Sequence, residues 1–342
     1  MSPVAFLVPA AIHDGRYPSG GNRYDVELVA ALRLVGWRAQ VIEVEPELDA
    51  LDAVLDGLPP EEPVLVDGLL LERDRAWTAL GDRRVVPLLH MPPTASAAFD
   101  LLDRADTVIT TSSWTREQVR EHLPSTSIVV ALPGVRRTRL VSTSPTGRRL
   151  RCVGALLPHK GQDVLLTALG RIRTLAWRCE LVGAADLDPE FTRRLATLAT
   201  NLGIADRVAF TGTRPANPVD GLYAGSDVLV LPSLRESYGM VGAEALACGV
   251  PVIASDTGGV REALNPAAGL FVPPGDPVEL AASLAAWLSR PELRRRLTAA
   301  AREQSAKRRN WSSAAALVAD ALAAAPTTVR VERVTGRRGT DR

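Results

Sequence analysis

Short apolar runs rich in β-branched residues recur along the whole chain, separated by longer stretches whose apolar positions fall at helical spacing. In the first half the runs are Val4–Val8, Ala39–Val44, Val64–Val66, Val85–Leu89, Thr107–Thr110 and Ile128–Leu132. Between them, Tyr24–Val35, Ala97–Arg104 and Trp114–His122 read as amphipathic helices. Turn formers and arginines from Pro133 to Arg149 break the alternation. It resumes with Arg151–Gly154, Arg178–Val182, Val208–Phe210, Val228–Leu231, Val252–Ala254 and Gly269–Val272. Continuous apolar strands alternating with helices imply parallel sheets covered on both faces. The pattern therefore predicts an α/β protein of two Rossmann-like βαβ domains, the first over residues 1–135 and the second over 150–310, with a linker over 136–149. A closing helix over 311–325 is expected to pack back on the first domain, ahead of a polar, Arg-rich tail over 326–342. Such sheets bind ligands at the carboxyl ends of their strands, so the cleft between the domains is the expected site.

Composition narrows the classes. With 46 % hydrophobic and 23 % charged residues over 342 positions, the chain can bury two cores. No apolar run reaches the roughly 18 residues a membrane span needs, and Met1–Ala11 reads as a strand, so neither an integral membrane segment nor a signal peptide is expected. The first 150 residues hold 16 Arg against 20 acidic residues, while the remainder carries a net positive charge. Neither half has the clustered basic face of a nucleic-acid-binding protein. Cys152, Cys179 and Cys248 lack metal-ligand spacing and read as small buried residues, which suggests a reducing, cytoplasmic setting. Of the 40 basic residues only Lys160 and Lys307 are lysine.

The most informative segment is Asp227–Glu262, DVLVLPSLRESYGMVGAEALACGVPVIASDTGGVRE. A buried strand ends at Pro232, a loop carries Arg235, Glu236 and Ser237, and a helix from Gly239 to Cys248 is apolar or small on every side except at Glu244. A buried carboxylate needs a partner. The helix N-terminus at Gly239, Met240 and Val241 offers amides to an anion, and Glu244 lies roughly 7.5 Å further along the axis, about the separation of a phosphate from the ribose of one nucleotide. The residues alone leave a second reading open, in which Glu244 pairs with an arginine and Glu236 is a surface residue.

The spacing Glu236-x7-Glu244, together with VGALLPHKGQDVLLTAL (Val153–Leu169), VAFTGT (Val208–Thr213), LYAGSDVLVLPS (Leu222–Ser233) and AGLFVPPGD (Ala268–Asp276), closely resembles the family-4 retaining glycosyltransferases of the GT-B fold. The resemblance covers the second half of the chain and is looser in the first. It implies two domains facing each other across a cleft, and transfer of a hexose from a nucleotide-diphosphate sugar to a hydroxyl acceptor with retention of configuration. By resemblance, Glu236 touches the transferred sugar and Glu244 the ribose. Backbone amides of Tyr238, Gly239, Met240 and Val241 hold the sugar or diphosphate, and Lys160 in the PHKG turn neutralises the leaving group. Gly20 and Gly21 match the loop that lets amides approach a phosphate, and His90 matches a histidine reaching the donor from the first domain. The catalytic candidates are thus His90, Lys160 and Glu236. His13 shares the loop of Gly20.

One position departs from the family. Ala155 stands where an arginine is usual, and Arg235, Arg261, Arg16 and Arg23 are the candidates to replace it. Asp186-Leu187-Asp188 reads as a helix cap rather than a metal-binding Asp-x-Asp, so no metal and no other cofactor are expected. No G-x-G-x-x-G follows the first strand of either half, which disfavours a dinucleotide-dependent oxidoreductase. A non-catalytic sugar-nucleotide-binding relative remains the alternative because of Ala155. The compact, acidic first half favours a soluble small molecule or glycan as acceptor.

Overall fold

In the computed structural model, residues 2–10, 12, 19–44, 55–72, 80, 83–136, 138–214 and 219–324 are described. The strands of the first half are β1 (Ser2–Pro9), β2 (Trp37–Val44), β3 (Val64–Asp67), β4 (Val85–Leu89), β5 (Thr107–Thr110) and β6 (Ser127–Val130). Those of the second are β7 (Arg149–Val153), β8 (Arg178–Val182), β9 (Val208–Phe210), β10 (Val228–Leu231), β11 (Val252–Ser255) and β12 (Gly269–Val272). The first half contributes helices α1 (Gly20–Leu34), α2 (Gly68–Leu71), α3 (Ser96–Leu102) and α4 (Ser113–Arg120). The second contributes α5 (Gln162–Arg171), α6 (Pro189–Asn201), α7 (Val219–Tyr223), α8 (Met240–Ala247), α9 (Val260–Ala263), α10 (Pro277–Ser289), α11 (Pro291–Ala306) and α12 (Trp311–Ala323).

All the strand pairs are parallel, and they form two six-stranded sheets, ordered β2-β1-β3-β4-β5-β6 and β12-β11-β10-β7-β8-β9. In each sheet the chain first moves outward to one side of its opening strand, then returns to its other side. The reversals fall between β1 and β3 and between β7 and β10, where the loops at the carboxyl ends separate and leave a crevice. The apolar runs are explained by burial on both faces. Val228 and Val230 pack into one core cluster and Leu229 and Leu231 into another, as the two-residue period of a strand requires. Cys152 and Cys179 lie in the first of these clusters and Cys248 in the second, all buried and none in a disulfide among the described residues.

Two crossovers join the halves. After β6 the chain passes Gly134, whose Cα lies so close to the backbone of Asn310 and Trp311 that no side chain fits between them. Val135 N–H donates to the Arg309 carbonyl at 2.9 Å. From that point α12 runs along α1, and Trp311, Ala314, Ala315, Val318 and Leu322 complete a core of the first domain. Tyr24 sits at this seam, edge-on to Trp311 and hydrogen-bonded through its hydroxyl to the Ala131 carbonyl at 2.8 Å. The tail from residue 325 onward lies outside the described residues.

The segment between the domains is not a free tether. Val141 is buried against α8, its N–H donating to the Cys248 carbonyl, and the buried Asp227 ahead of β10 gathers the end of the segment. Its carboxylate accepts from Ser144 N–H at 2.5 Å, Ser144 Oγ at 2.7 Å, Arg149 N–H at 2.9 Å and Arg149 Nη2 at 2.8 Å. Burial alone would raise the Asp227 pKa, but Arg149 and Ser144 outweigh it and hold the carboxyl below its usual value. A depressed carboxylate contributes stability above its unfolded pKa and loses it as pH falls through the folded value. Asp227→Ala is therefore expected to cost about 3 kcal/mol at pH 7. In urea unfolding, the gap between wild type and variant should close as the pH falls below about 4.

Candidate active site

The functional side chains come from the ends of the switch strands. After β7, the chain makes a single turn over Pro158–Lys160 and leaves it through Gly161, which has a φ of 68°. Gly161 packs directly on the Pro232 carbonyl that ends β10, a contact no Cβ would permit, and Leu234 N–H donates to the His159 carbonyl at 2.8 Å. These contacts stitch the β7 loop to the β10 loop and bring Lys160 Nζ within 2.9 Å of Glu236 Oε2. Both side chains are partly open, at 27 % and 14 % exposure, which leaves them accessible from the cleft.

Helix α8 starts one residue after Gly239, whose φ of 91° turns the chain into it. Tyr238 and Gly239 are buried at the turn, while Met240 and Val241 form the first helical residues. Glu244, in the second turn, is buried. It accepts from the Tyr223 hydroxyl at 3.1 Å and pairs with Arg23 Nη1 at 2.9 Å. Burial pushes its carboxyl above the usual range in spite of Arg23 and Tyr223. The Tyr223 hydroxyl also donates to the Val241 carbonyl at 2.8 Å, fixing the start of α8 against α7.

From the first domain, α1 aims its N-terminus at the same place. Ser19 caps it by accepting from Asn22 N–H at 3.0 Å. A Cβ on Gly20 would lie 3.9 Å from Met240 Sδ, and one on Gly21 would lie 3.1 Å from the His90 ring. The glycine pair thus lets α1 approach both α8 and the end of β4. His90 Nε2 lies 3.0 Å from Asp25 Oδ1 and 3.8 Å from Asp67 Oδ2. The cleft is further bridged by Glu262 of α9, whose carboxylate accepts from Ser113 N–H at 2.7 Å and Trp114 N–H at 2.8 Å at the start of α4.

The catalytic and donor-binding candidates His90, Lys160, Glu236, Glu244, Gly20, Gly21 and Tyr238 to Val241 therefore lie at or beside the facing strand ends. Glu244 does pair with an arginine, from the opposite domain. Among the candidates for the cation that Ala155 lacks, Arg23 is this partner, and Arg261 is held by Asp256 through two contacts of 2.7 Å while its guanidinium stacks on Phe271. Arg235 is exposed on the β10 loop, and Arg16, like His13, lies outside the described residues. Asp188 is the N-cap of α6, accepting from Phe191 N–H at 2.8 Å. Lys307 is exposed and pairs with Glu303 one helical turn away.

Sequence reasoning missed Asp25, Asp67, Tyr223 and Glu262. Asp25 had a readable signal: it occupies a position on the apolar stripe of α1 with Leu28 and Leu32, where a charge is out of place. Asp67 ends a fully buried strand beside the switch point. Glu262 and Tyr223 gave no local signal, because their partners lie 18 or more residues away in another element.

Two facing parallel sheets, each reversing its strand order at the cleft, define the GT-B architecture of glycosyltransferases. Residues 142–304, most of the second domain, match the family described as glycosyl transferases group 1. The chain is 38 % identical over 167 residues to the D-inositol 3-phosphate glycosyltransferase of Xylanimonas cellulosilytica, covering 48 % of this chain and 40 % of that one. It is 33 % identical over 271 residues to the enzyme of the same name from Geodermatophilus obscurus, covering 67 % and 59 %. The chain spans about half the length of the curated relatives it matches. Among solved structures, sucrose-phosphate synthase from Thermosynechococcus elongatus superposes with a TM-score of 0.77 over 94 % of this chain and 98 % of its own, at 22 % identity. HepE from Anabaena, in complex with UDP-glucose, gives 0.78 over 94 % and 99 %, at 20 % identity. No helix among the described residues is long and apolar enough to cross a membrane.

Proposed function

We propose that the chain transfers a hexose from a nucleotide-diphosphate sugar to a hydroxyl acceptor, with retention of configuration and without a metal. The observation that carries this reading is the convergence of Lys160, Glu236 and Glu244 at the β7/β10 switch point, beside the start of α8. The donor's diphosphate would lie between Lys160 and the amides of Gly239, Met240 and Val241, where a helix N-terminus and an ammonium both favour negative charge. Its ribose would take Glu244 in exchange for Arg23, and the sugar would take Glu236 in exchange for Lys160. Both carboxylates are thus kept paired until a ligand replaces the partner. Catalysis would rest on positioning and charge stabilisation, the leaving diphosphate accepting the acceptor's proton on the same face. The UDP-glucose complex of HepE and the names of the curated relatives support a sugar-nucleotide donor. The acceptor is a soluble small molecule or glycan.

A thermal-shift screen of UDP-, GDP- and ADP-hexoses in EDTA tests the reading. A ligand at a hundred times its Kd should stabilise the fold by about 2.7 kcal/mol. Release of free nucleotide diphosphate with an acceptor present, and an axial or equatorial product anomer matching the donor, should follow. No stabilisation by any sugar nucleotide would overturn it. Binding without turnover would establish instead the non-catalytic relative that Ala155 allows.

A further inference from the structure

Among the described residues, three groupings of paired charges face the cleft. Lys160 with Glu236 and Arg23 with Glu244 each match one cation to one carboxylate. The third is unbalanced: Asp25 and Asp67, 0 % and 1 % exposed, both stand beside the single imidazole of His90. Asp67 Oδ1 is occupied as the cap of α2, accepting from Leu69 N–H at 2.8 Å. Asp25 Oδ2 and Asp67 Oδ2 are buried and accept no hydrogen bond among the described residues.

Two neighbouring carboxylates sealed from water cannot both remain ionised without a cation or a shared proton. The groups packed around His90 leave few sources of that charge. On α1, Arg23 is turned to Glu244, and Tyr24 lies edge-on to the imidazole with its hydroxyl committed to the Ala131 carbonyl. At the end of β5, Thr111 contributes only a hydroxyl against the His90 carbonyl. Across the cleft, the nearest residue of α8 to the glycine pair is the uncharged Met240. Among the described residues, the imidazole itself is the group able to supply the charge. Burial alone would lower the His90 pKa, but the charge and hydrogen bond of Asp25, with the charge of Asp67, outweigh it and raise the pKa to about 9. Burial also raises the Asp25 carboxyl, against the opposing pull of His90.

The direction of the ring decides what this charge does. Nε2 faces the carboxylates, 3.0 Å from Asp25 Oδ1, and while Asp25 is ionised its proton is directed there. Nδ1 makes no protein hydrogen bond among the described residues, and 14 % of the side chain is open to the cleft. A neutral imidazole in this pose would present a lone pair at Nδ1 and could act as a base, whereas a charged one presents an N–H.

We propose that Asp25 and Asp67 hold His90 as an imidazolium through the neutral range, so that Nδ1–H donates to the transferred sugar or its leaving phosphate and His90 is not the base for the acceptor hydroxyl. The role toward the ligand rests on the function proposed above; the charge state does not. Asp25 and Asp67 are then positioning residues, acting through the imidazole and never touching substrate.

The experiment is a histidine-ring titration of ligand-free, 15N-labelled protein by long-range 1H–15N correlation from pH 5 to 10, with His90→Gln assigning the signal. The expected result is a His90 midpoint above about 8, against roughly 6.5 for an unperturbed imidazole, and a fall of one unit or more in Asp67→Asn. A neutral ring at pH 7 in the wild type would overturn the proposal, and that measurement needs only the assigning variant to fold and no substrate to bind. With UDP-glucose, or the sugar nucleotide that the screen selects, wild-type affinity should weaken about tenfold as pH rises through the His90 midpoint, and His90→Gln should remove that dependence. A raised midpoint with pH-independent affinity would refute the donor role. Selective broadening of the His90 signal by stoichiometric Mn2+, with activity lost in EDTA, would show the trio to be a cation site and overturn the proposal as a whole.

Discussion

Replacing Lys160 by alanine is expected to lower kcat about a hundred- to a thousandfold while changing the donor KM only a few-fold. The size follows from the loss of one charged donor at a position where negative charge develops on the departing diphosphate. The split between kcat and KM follows from timing, since an interaction that strengthens toward the transition state is missed mainly in the chemical step. Stability should move by no more than about 0.5 kcal/mol, because Lys160 and Glu236 are both partly exposed and such a pair contributes little to folding. Lys160→Arg is the sharper variant. The turn that carries the side chain is pinned by Gly161 against the Pro232 carbonyl and cannot shift to seat a larger, planar guanidinium. We expect it to recover binding but less than a tenth of the turnover, read from initial rates at saturating donor. Full turnover would mean that charge alone matters at this position.

The second large effect is expected at Glu244. Glu244→Ala should weaken the nucleotide diphosphate by about a hundredfold or more in calorimetry, as two hydrogen bonds from ribose hydroxyls to a buried carboxylate are lost. Comparing ribose with 2′-deoxyribose nucleotides separates this from general damage. The wild type should prefer the ribose form at least tenfold, and the variant should treat the two alike. Preserved preference in the variant would place the ribose elsewhere. Arg23 gives a complementary readout, because it occupies Glu244 in the ligand-free protein. Arg23→Gln removes the competing partner, so its nucleotide affinity separates the ribose role of Glu244 from a purely structural ion pair, which would leave that affinity unchanged.

Much of the scaffold was legible because a parallel strand buried on both faces writes a continuous apolar run into the sequence. Val85–Leu89, Thr107–Thr110, Arg178–Val182, Val208–Phe210, Val228–Leu231 and Gly269–Val272 coincide with observed strands, and the other runs differ at their ends by a few residues. Helix ends were less exact: α1 begins at Gly20, four residues before its apolar stripe starts, because Ser19 caps it and the first turn is spent on the glycine pair. Glu236 and Glu244 could be singled out because both lie within one short segment and Glu244 breaks an otherwise apolar helix.

The partners were a different matter. The charge on Glu244 demanded a cation, yet nothing local distinguishes Arg23 from the other arginines of a chain that uses Arg almost exclusively. The pairing exists because α1 and α8 meet N-terminus to N-terminus over Gly20 and Met240. The environment of His90 is likewise a product of three separate elements: α1 brings Asp25, β3 ends in Asp67, and the histidine follows directly on β4.

By itself, then, the sequence determined the order of strands and helices, the two-domain plan and the segment that carries Lys160, Glu236 and Glu244, since these are set by periodicities and spacings within a few turns of chain. Only the tertiary structure decided which cation meets which carboxylate, how the segment after β6 is docked through Val141 and Asp227, and that His90 stands between two buried aspartates. Those outcomes depend on the reversal of strand order between β1 and β3 and between β7 and β10, which brings together loops far apart in sequence and buries their charges where each must find a partner.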